Sequence, residues 1–241
     1  MLKFGALVGV LLLIATPLQA IPSVTVMCYH TFLGKQQIPT DFSLQEFKAQ
    51  MLSLKNHGIR FVTLPQLLSG EITGNRNVLI TIDDGHVSCR SVYTTVLKPL
   101  GIKPVFAIYP GIISSRSFAL RWEDLKAYEA DGASILSHGY FHEYLFEKAW
   151  RKNPQKCLDE IVKSKKILEK HLGHPIVGFV YPFGSTSAET QYELQKAGYQ
   201  YAFTITPGDI THPFKHPYEL PRTMITRQTA KKILTRLENP N

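Results

Sequence analysis

Apolar residues along this chain fall into short, nearly unbroken runs, each bounded by turn residues and separated from the next by a stretch of helical periodicity. Strands are expected at 23–30 (SVTVMCYH), 77–83 (NVLITID), 103–110 (KPVFAIYP), 133–139 (ASILSHG), 175–182 (PIVGFVYP), 199–206 (YQYAFTIT) and 219–225 (ELPRTMI). Between them, SLQEFKAQMLSLKNHG reads as a helix with Ser43 as N-cap, Glu46 completing a capping box and Gly58 as its stop. WEDLKAYEADG and SAETQYELQKAG end in the same way, on Gly132 and Gly198. Strands that are apolar along their whole length are buried on both faces, the environment of a parallel sheet covered by helices. Seven or so such units predict a (β/α) barrel or a doubly wound open sheet. No G-x-G-x-x-G follows a strand, so the usual dinucleotide signature is missing.

In either architecture chemistry gathers at the carboxyl ends of the strands. Those ends read Tyr29-His30, Asp83-Asp84, Tyr109, Ser137-His138 and Tyr181-Pro182-Phe183, with Arg222 near the start of the last strand. Polar and ionisable residues collect there while the strand bodies stay apolar, the distribution expected of an active site at one mouth of a barrel.

The first twenty residues differ from the rest. Lys3, the apolar stretch FGALVGVLLLIATP and LQA ending at Ala20 form a secretory signal pattern, with residues 21–241 as one globular domain. Leu18 is large for its place before the cut, which leaves an uncleaved anchor as the alternative. No later stretch is long and apolar enough to span a bilayer. The formal charge is +8 and the pI about 9.3, which favours anionic surroundings. The basic residues are densest over Lys152–Lys170, but Leu158, Ile161, Ile167 and Leu168 give that run a buried face. A solvated helix is therefore expected rather than a nucleic-acid surface. Cys28, Cys89 and Cys157 cannot form a disulfide framework and have no metal-type spacing; Cys28, inside a strand, is expected to pack as a small hydrophobe.

Two constellations carry the candidate chemistry. Asp83 and Asp84 end an apolar strand, where either could cap the following helix or serve as a ligand or base. In LSHGYFHEY, His138 and His142 stand four apart, and one helical turn would bring both imidazoles to one metal ion. Together, one aspartate and two histidines make a three-ligand site with open positions, and the other aspartate is free to accept a proton from water. The same ligand types also occur in non-haem iron oxygenases, though the adjacent second aspartate argues for hydrolysis. Among aromatic residues near the strand ends (Tyr109, Trp122, Tyr140 and Tyr181), Tyr181 is the candidate for stacking on a sugar ring.

At these residues the chain resembles the polysaccharide deacetylases with a NodB-type domain, carbohydrate esterase family 4. Thr81-Ile82-Asp83-Asp84-Gly85 matches the family's T-F-D-D-G with Ile for Phe. His138-Gly139-Tyr140-Phe141-His142 matches H-S/T-x-x-H with Gly for the hydroxyl residue. Val180-Tyr181-Pro182-Phe183 matches R-x-P-F/Y without the arginine. The opening YH, the form YPFG and the ending LPR are most like the poly-β-1,6-N-acetylglucosamine deacetylase branch. The resemblance implies a distorted (β/α) barrel of about seven parallel strands. It also implies a hydrolase that removes N-acetyl groups from N-acetylglucosamine-containing polysaccharide, and the N-terminal signal pattern makes it secreted or periplasmic. It implies Asp83 as base, and Asp84, His138 and His142 as ligands of a divalent metal, zinc first, with cobalt or nickel as alternatives. The Phe183 N–H would help hold the oxyanion. Arg222 is the candidate replacement for the missing arginine. His30 is the candidate general acid, with His212 and His216 as loop alternatives. A peptidoglycan or small-amide deacylase of the same fold, or an inactive carbohydrate-binding relative, are the competing readings; the chain does not specify its oligomeric state.

Overall fold

The computed structural model describes residues 21–238, so the expected signal peptide lies outside the described residues. Among the described residues there are nine strands: β1 (Ser23–Tyr29), β2 (Arg60–Phe61), β3 (Asn77–Asp84), β4 (Val105–Ile108), β5 (Ser134–Ser137), β6 (Gly178–Val180), β7 (Tyr201–Phe203), β8 (Asp209–Thr211) and β9 (Thr223–Met224). Each expected run corresponds to one of them, shortened at its ends except for β3, which extends one residue further, to Asp84. β2 and β8 are additional. They are too short to leave an apolar run: β2 pairs only with Asn77 and Val78, and β8 alternates exposed and buried beside the start of β1.

The parallel ladder runs β7-β6-β5-β4-β3-β1, with β8 antiparallel to β1. The circuit continues through the segment that leads into β9. Phe203 bridges Leu220 in parallel, the Arg222 N–H donates to Thr206 O at 3.1 Å, and then Thr223 and Met224 pair with Met27 and Cys28. The last segment thus changes partner from β7 to β1, and Arg222 sits at the change. A curled, mostly parallel sheet joined there by a bridge rather than a full ladder is the distorted (β/α) barrel that the family resemblance implied, and the first of the two architectures that the apolar runs left open.

Strand alternation sorts the side chains. Val24, Val26, Leu79, Val105, Ala107, Leu136, Val180 and Phe203 pack together on one face of the sheet. Met27, Tyr29, Ile80, Ile82, Phe106, Ile108, Ile135 and Phe179 pack on the other, against the helices. The helix Leu44–Asn56 begins with the expected capping box of Ser43 and Glu46, and Gly58 follows its end at φ +72°. Fully burying a Val, Leu or Phe side chain stabilises by about 1.5–3 kcal/mol, so apolar residues dominate both faces. The exceptions at the strands' carboxyl ends therefore need a compensating partner.

Candidate active site

Asp83 continues the Leu79 and Thr81 side of β3 and is 2% exposed. A bare carboxylate at that depth would be strongly destabilising. Arg222, fully buried, provides the partner: Nη1 donates to Asp83 Oδ1 at 2.8 Å and Nη2 to Oδ2 at 2.9 Å. Arg222 is itself held by Nη1 to Thr81 Oγ1 (3.0 Å) and Nε to Thr204 O (3.0 Å). Burial raises the Asp83 carboxyl's pKa, but Arg222, helped by His138, reverses this and holds it well below the usual carboxylate range. The Cys28 thiol donates to Asp83 Oδ2 at 3.4 Å, so Cys28 is a polar neighbour of the acid as well as a packed small side chain. Burial pushes that thiol's pKa far up.

Asp84 would face away from Asp83 in a regular strand. Instead its φ is +74°, and Gly85 follows at +82°. Aspartate tolerates this left-handed region better than most residues, and the turn brings both carboxylates to the same imidazole. Asp84 Oδ1 lies 3.6 Å and Asp83 Oδ2 3.8 Å from His138 Nε2. Neither acid caps the next helix, which begins at Cys89 after Ser88 and has no side-chain cap.

His138 follows β5, its N–H continuing the ladder to Ile108 O at 2.8 Å. Its Nδ1 lies 2.8 Å from Val180 O, a pure acceptor, so Nδ1 carries the proton and Nε2 presents a lone pair. Burial pushes the His138 pKa down to about 4, so the ring is neutral. The expectation that one helical turn carries both histidines is corrected: residues 138–146 form no helix, and the loop instead turns through Gly139 (φ +75°) and His142 (φ +64°). His142 Nε2 still arrives 3.2 Å from His138 Nε2 and 3.5 Å from Asp84 Oδ1.

These residues fit a metal ion. Asp84 Oδ1 is buried with no hydrogen-bond donor, and it converges with two imidazole nitrogens. Ligands about 2.0–2.1 Å from one tetrahedral zinc stand about 3.3–3.4 Å apart, close to the separations seen here. A second group, Cys28, His30 and Asp83, also has donor atoms within 4.8 Å of one another. It is the poorer site, because both Asp83 oxygens are engaged by Arg222 and the Cys28 thiol resists ionisation.

Around this centre, Phe183 follows β6 with φ +56° and is 45% exposed, its ring edge-on to His142 at 4.4 Å and stacked on Tyr144 at 4.0 Å. Tyr144 carries no motif signal and was not foreseen. His30, at the end of β1, has a buried Nδ1 without a partner. Tyr181 is corrected: it is fully buried, and its hydroxyl donates to Tyr218 O at 3.0 Å, so its ring has no face for a sugar. Trp122 stacks on His171 and His212 lies against Gly70; neither belongs to the centre. Glu160 was also missed. It is fully buried and accepts N–H bonds from the loop that carries His142; its signal is an acid on the buried stripe of the Lys152–Lys170 run, beside Cys157, Ile161 and Ser164.

Comparison with known proteins agrees with this geometry. The polysaccharide deacetylase profile matches residues 70–202. A putative polysaccharide deacetylase, YxkH of Bacillus subtilis, is 31% identical over 170 residues, 68% of this chain; the chain spans 58% of that relative's length. The poly-β-1,6-N-acetyl-D-glucosamine N-deacetylase of Staphylococcus aureus is 23% identical over 206 residues, covering 80% of this chain and 71% of that one. Among solved structures, IcaB from Ammonifex degensii superposes with a TM-score of 0.80 at 25% identity, over 91% of this chain and 99% of that chain. Streptococcus pyogenes deacetylase PplD, at 19% identity and a TM-score of 0.78, shares the fold. With the profile spanning more than half of its length, the chain belongs to the polysaccharide deacetylase family.

Proposed function

We propose that this protein is a divalent-metal-dependent hydrolase that removes N-acetyl groups from N-acetylglucosamine-containing polysaccharide. The observation that carries the reading is the convergence of Asp84, His138 and His142 beside a second carboxylate clamped by Arg222. In this reading Asp84, His138 and His142 hold the ion; two nitrogens and one oxygen suit zinc, with cobalt or nickel as alternatives. When bound, the ion supplies Lewis acidity to the acetamide carbonyl.

The chain's own groups do the rest. Asp83 accepts a proton from the attacking water. Arg222 lowers its basicity, and at the same time keeps it ionised and fixes the direction of both oxygens. The Phe183 N–H donates to the oxygen on which negative charge develops, a task for a fixed backbone dipole. As the C–N bond breaks, His30 delivers a proton to the departing amine, leaving acetate and a free amino sugar. The similarity to proteins named poly-β-1,6-N-acetyl-D-glucosamine N-deacetylases supports a β-1,6-linked polymer. Among the described residues no helix is long and apolar enough to cross a membrane. Residues 1–20 support export to the cell envelope, with a mature terminus at Ile21 that mass spectrometry of the exported protein would reveal.

The deciding experiment strips the protein with a chelator and reloads it with zinc, cobalt or nickel. Acetate release is then measured from β-1,6 and β-1,4 N-acetylglucosamine oligomers and from peptidoglycan. Release is expected only after reloading and is greatest on β-1,6 oligomers. No release from any of them, with no stoichiometric metal binding, would sink the reading.

A further inference from the structure

Glu160 is a buried acid without a cationic partner, in a π-type turn (Asp159–Lys163) between the helices Pro154–Leu158 and Ser164–Leu172. Such turns often mark functional sites. Its carboxylate takes three N–H bonds from one short loop: Tyr140 N to Oε2 at 3.0 Å, Phe141 N to Oε1 at 2.8 Å and Glu143 N to Oε2 at 3.2 Å. One turn later, Ser164 Oγ lies 2.8 Å from the Oγ of Ser137, the residue before His138. The same helical run therefore pins the chain on both sides of the H-x-x-x-H pair. Gly139 lies under the carboxylate: a Cβ there would collide with Glu160 Oε2, and its φ is +75°. A hydroxyl residue at that position would have to push the carboxylate off the loop N–H groups that it binds.

We propose that Glu160 is the positioning residue of the metal centre, folding residues 139–143 so that His142 meets His138 on one cation, and that Gly139 stands where it does to admit the carboxylate. The inference rests on the metal reading above. It concerns a residue that touches neither metal nor substrate, whose only reach to the centre is through backbone N–H groups.

The test measures zinc or cobalt affinity by titration in Glu160→Gln and Glu160→Ala, alongside amide exchange in the metal-free proteins. The carboxamide keeps the size but can offer only one acceptor oxygen, so at least one loop N–H loses its partner. Affinity is expected to fall by about 10–100-fold, the usual range for groups that orient ligands. Exchange should quicken at Tyr140, Phe141 and Glu143 while the melting temperature of metal-free Glu160→Gln stays near that of wild type. If Glu160→Ala does not fold, Glu160→Gln alone decides. Wild-type affinity in the folded variants overturns the proposal while leaving the metal reading standing; a wild-type protein that binds no divalent cation overturns both. A second arm compares Gly139→Ala with Gly139→Ala/Glu160→Ala. In the Glu160→Ala background, Gly139→Ala should cost less additional affinity than it does in the wild-type background. Equal loss in both backgrounds means that Gly139 serves its φ alone, and overturns that half of the proposal.

Discussion

Asp83 is 2% exposed and lies under a guanidinium that donates to both of its oxygens, whereas the Asp84 side chain, one residue on, is 29% exposed and its Oδ1 has no donor. The two acids divide the site into a dry half and a wet half. In the dry half the negative charge is neutralised within the protein by Arg222, which is itself held by bonds to Thr81 Oγ1 and Thr204 O. In the wet half Asp84 and His142 are partly exposed beside the Phe183–Tyr144 stack, the buried His138 lies within 3.8 Å of both acids, and in the proposed function the balancing charge is a bound cation. On the proposed function, keeping a base ionised and receiving a cation calls for these two environments side by side.

The most severe break of this division is Asp83→Asn. It should lower kcat by about 10²–10⁴-fold, the usual contribution of a general base, and leave metal affinity measured by titration close to wild type. Equal damage to metal binding would mean that the halves are not separate. Next is Arg222→Met, which strands a buried carboxylate and should cost about 3–5 kcal/mol in chemical denaturation. Adding Asp83→Asn removes the stranded charge, so the double variant should be more stable than Arg222→Met alone; additive losses would show that the pair is not coupled.

Acid should act on metal-free protein through His138. Its folded pKa lies at about 4 and its unfolded value at about 6.5. Between those values the unfolded chain binds a proton that the native ring does not, so stability is intact above pH 6.5 and falls as pH drops to about 4. The full loss is roughly 3 kcal/mol, and His142, also lowered by burial, acts in the same direction. Thermal melts of the chelated protein across this window check it; a flat profile from pH 7 to 4.5 would contradict a neutral, buried His138. The mildest prediction is Phe183→Ala. Losing an aromatic face worth about 0.5–1.5 kcal/mol should raise KM by roughly 2–10-fold, while kcat stays near wild type because the N–H is backbone. A large fall in kcat would place the ring itself in the chemistry.

Period-two alternation explains why much of the site could be read in advance. Asp83 continues the face of Leu79, and His138 the face of Leu136, so an apolar run ending in a polar residue of the right parity reports the barrel mouth. Tyr181 fails the same test, since Val180 holds that face and Tyr181 turns towards the helices with Phe179. The positive φ values at Asp84, His142 and Phe183 had no local cause to read. Around His142 the backbone is held by Glu160, which accepts from the N–H groups of Tyr140, Phe141 and Glu143, a contact remote in sequence. Arg222 was legible only as the arginine nearest a gap in a motif; its burial depends on a change of strand partner that no periodicity encodes.

That change of partner has a consequence for the order in which the molecule is completed. Arg222 meets Asp83 across 139 positions of chain, in the same segment that joins β7 to β1. During synthesis the carboxylate is made long before its counter-charge, and until the final stretch docks it can remain wet and harmless. Closing the barrel and neutralising the acid are then one event. On the proposed reading of Asp83 as the base, a chain whose final stretch has not docked lacks the Arg222 contact that fixes that base.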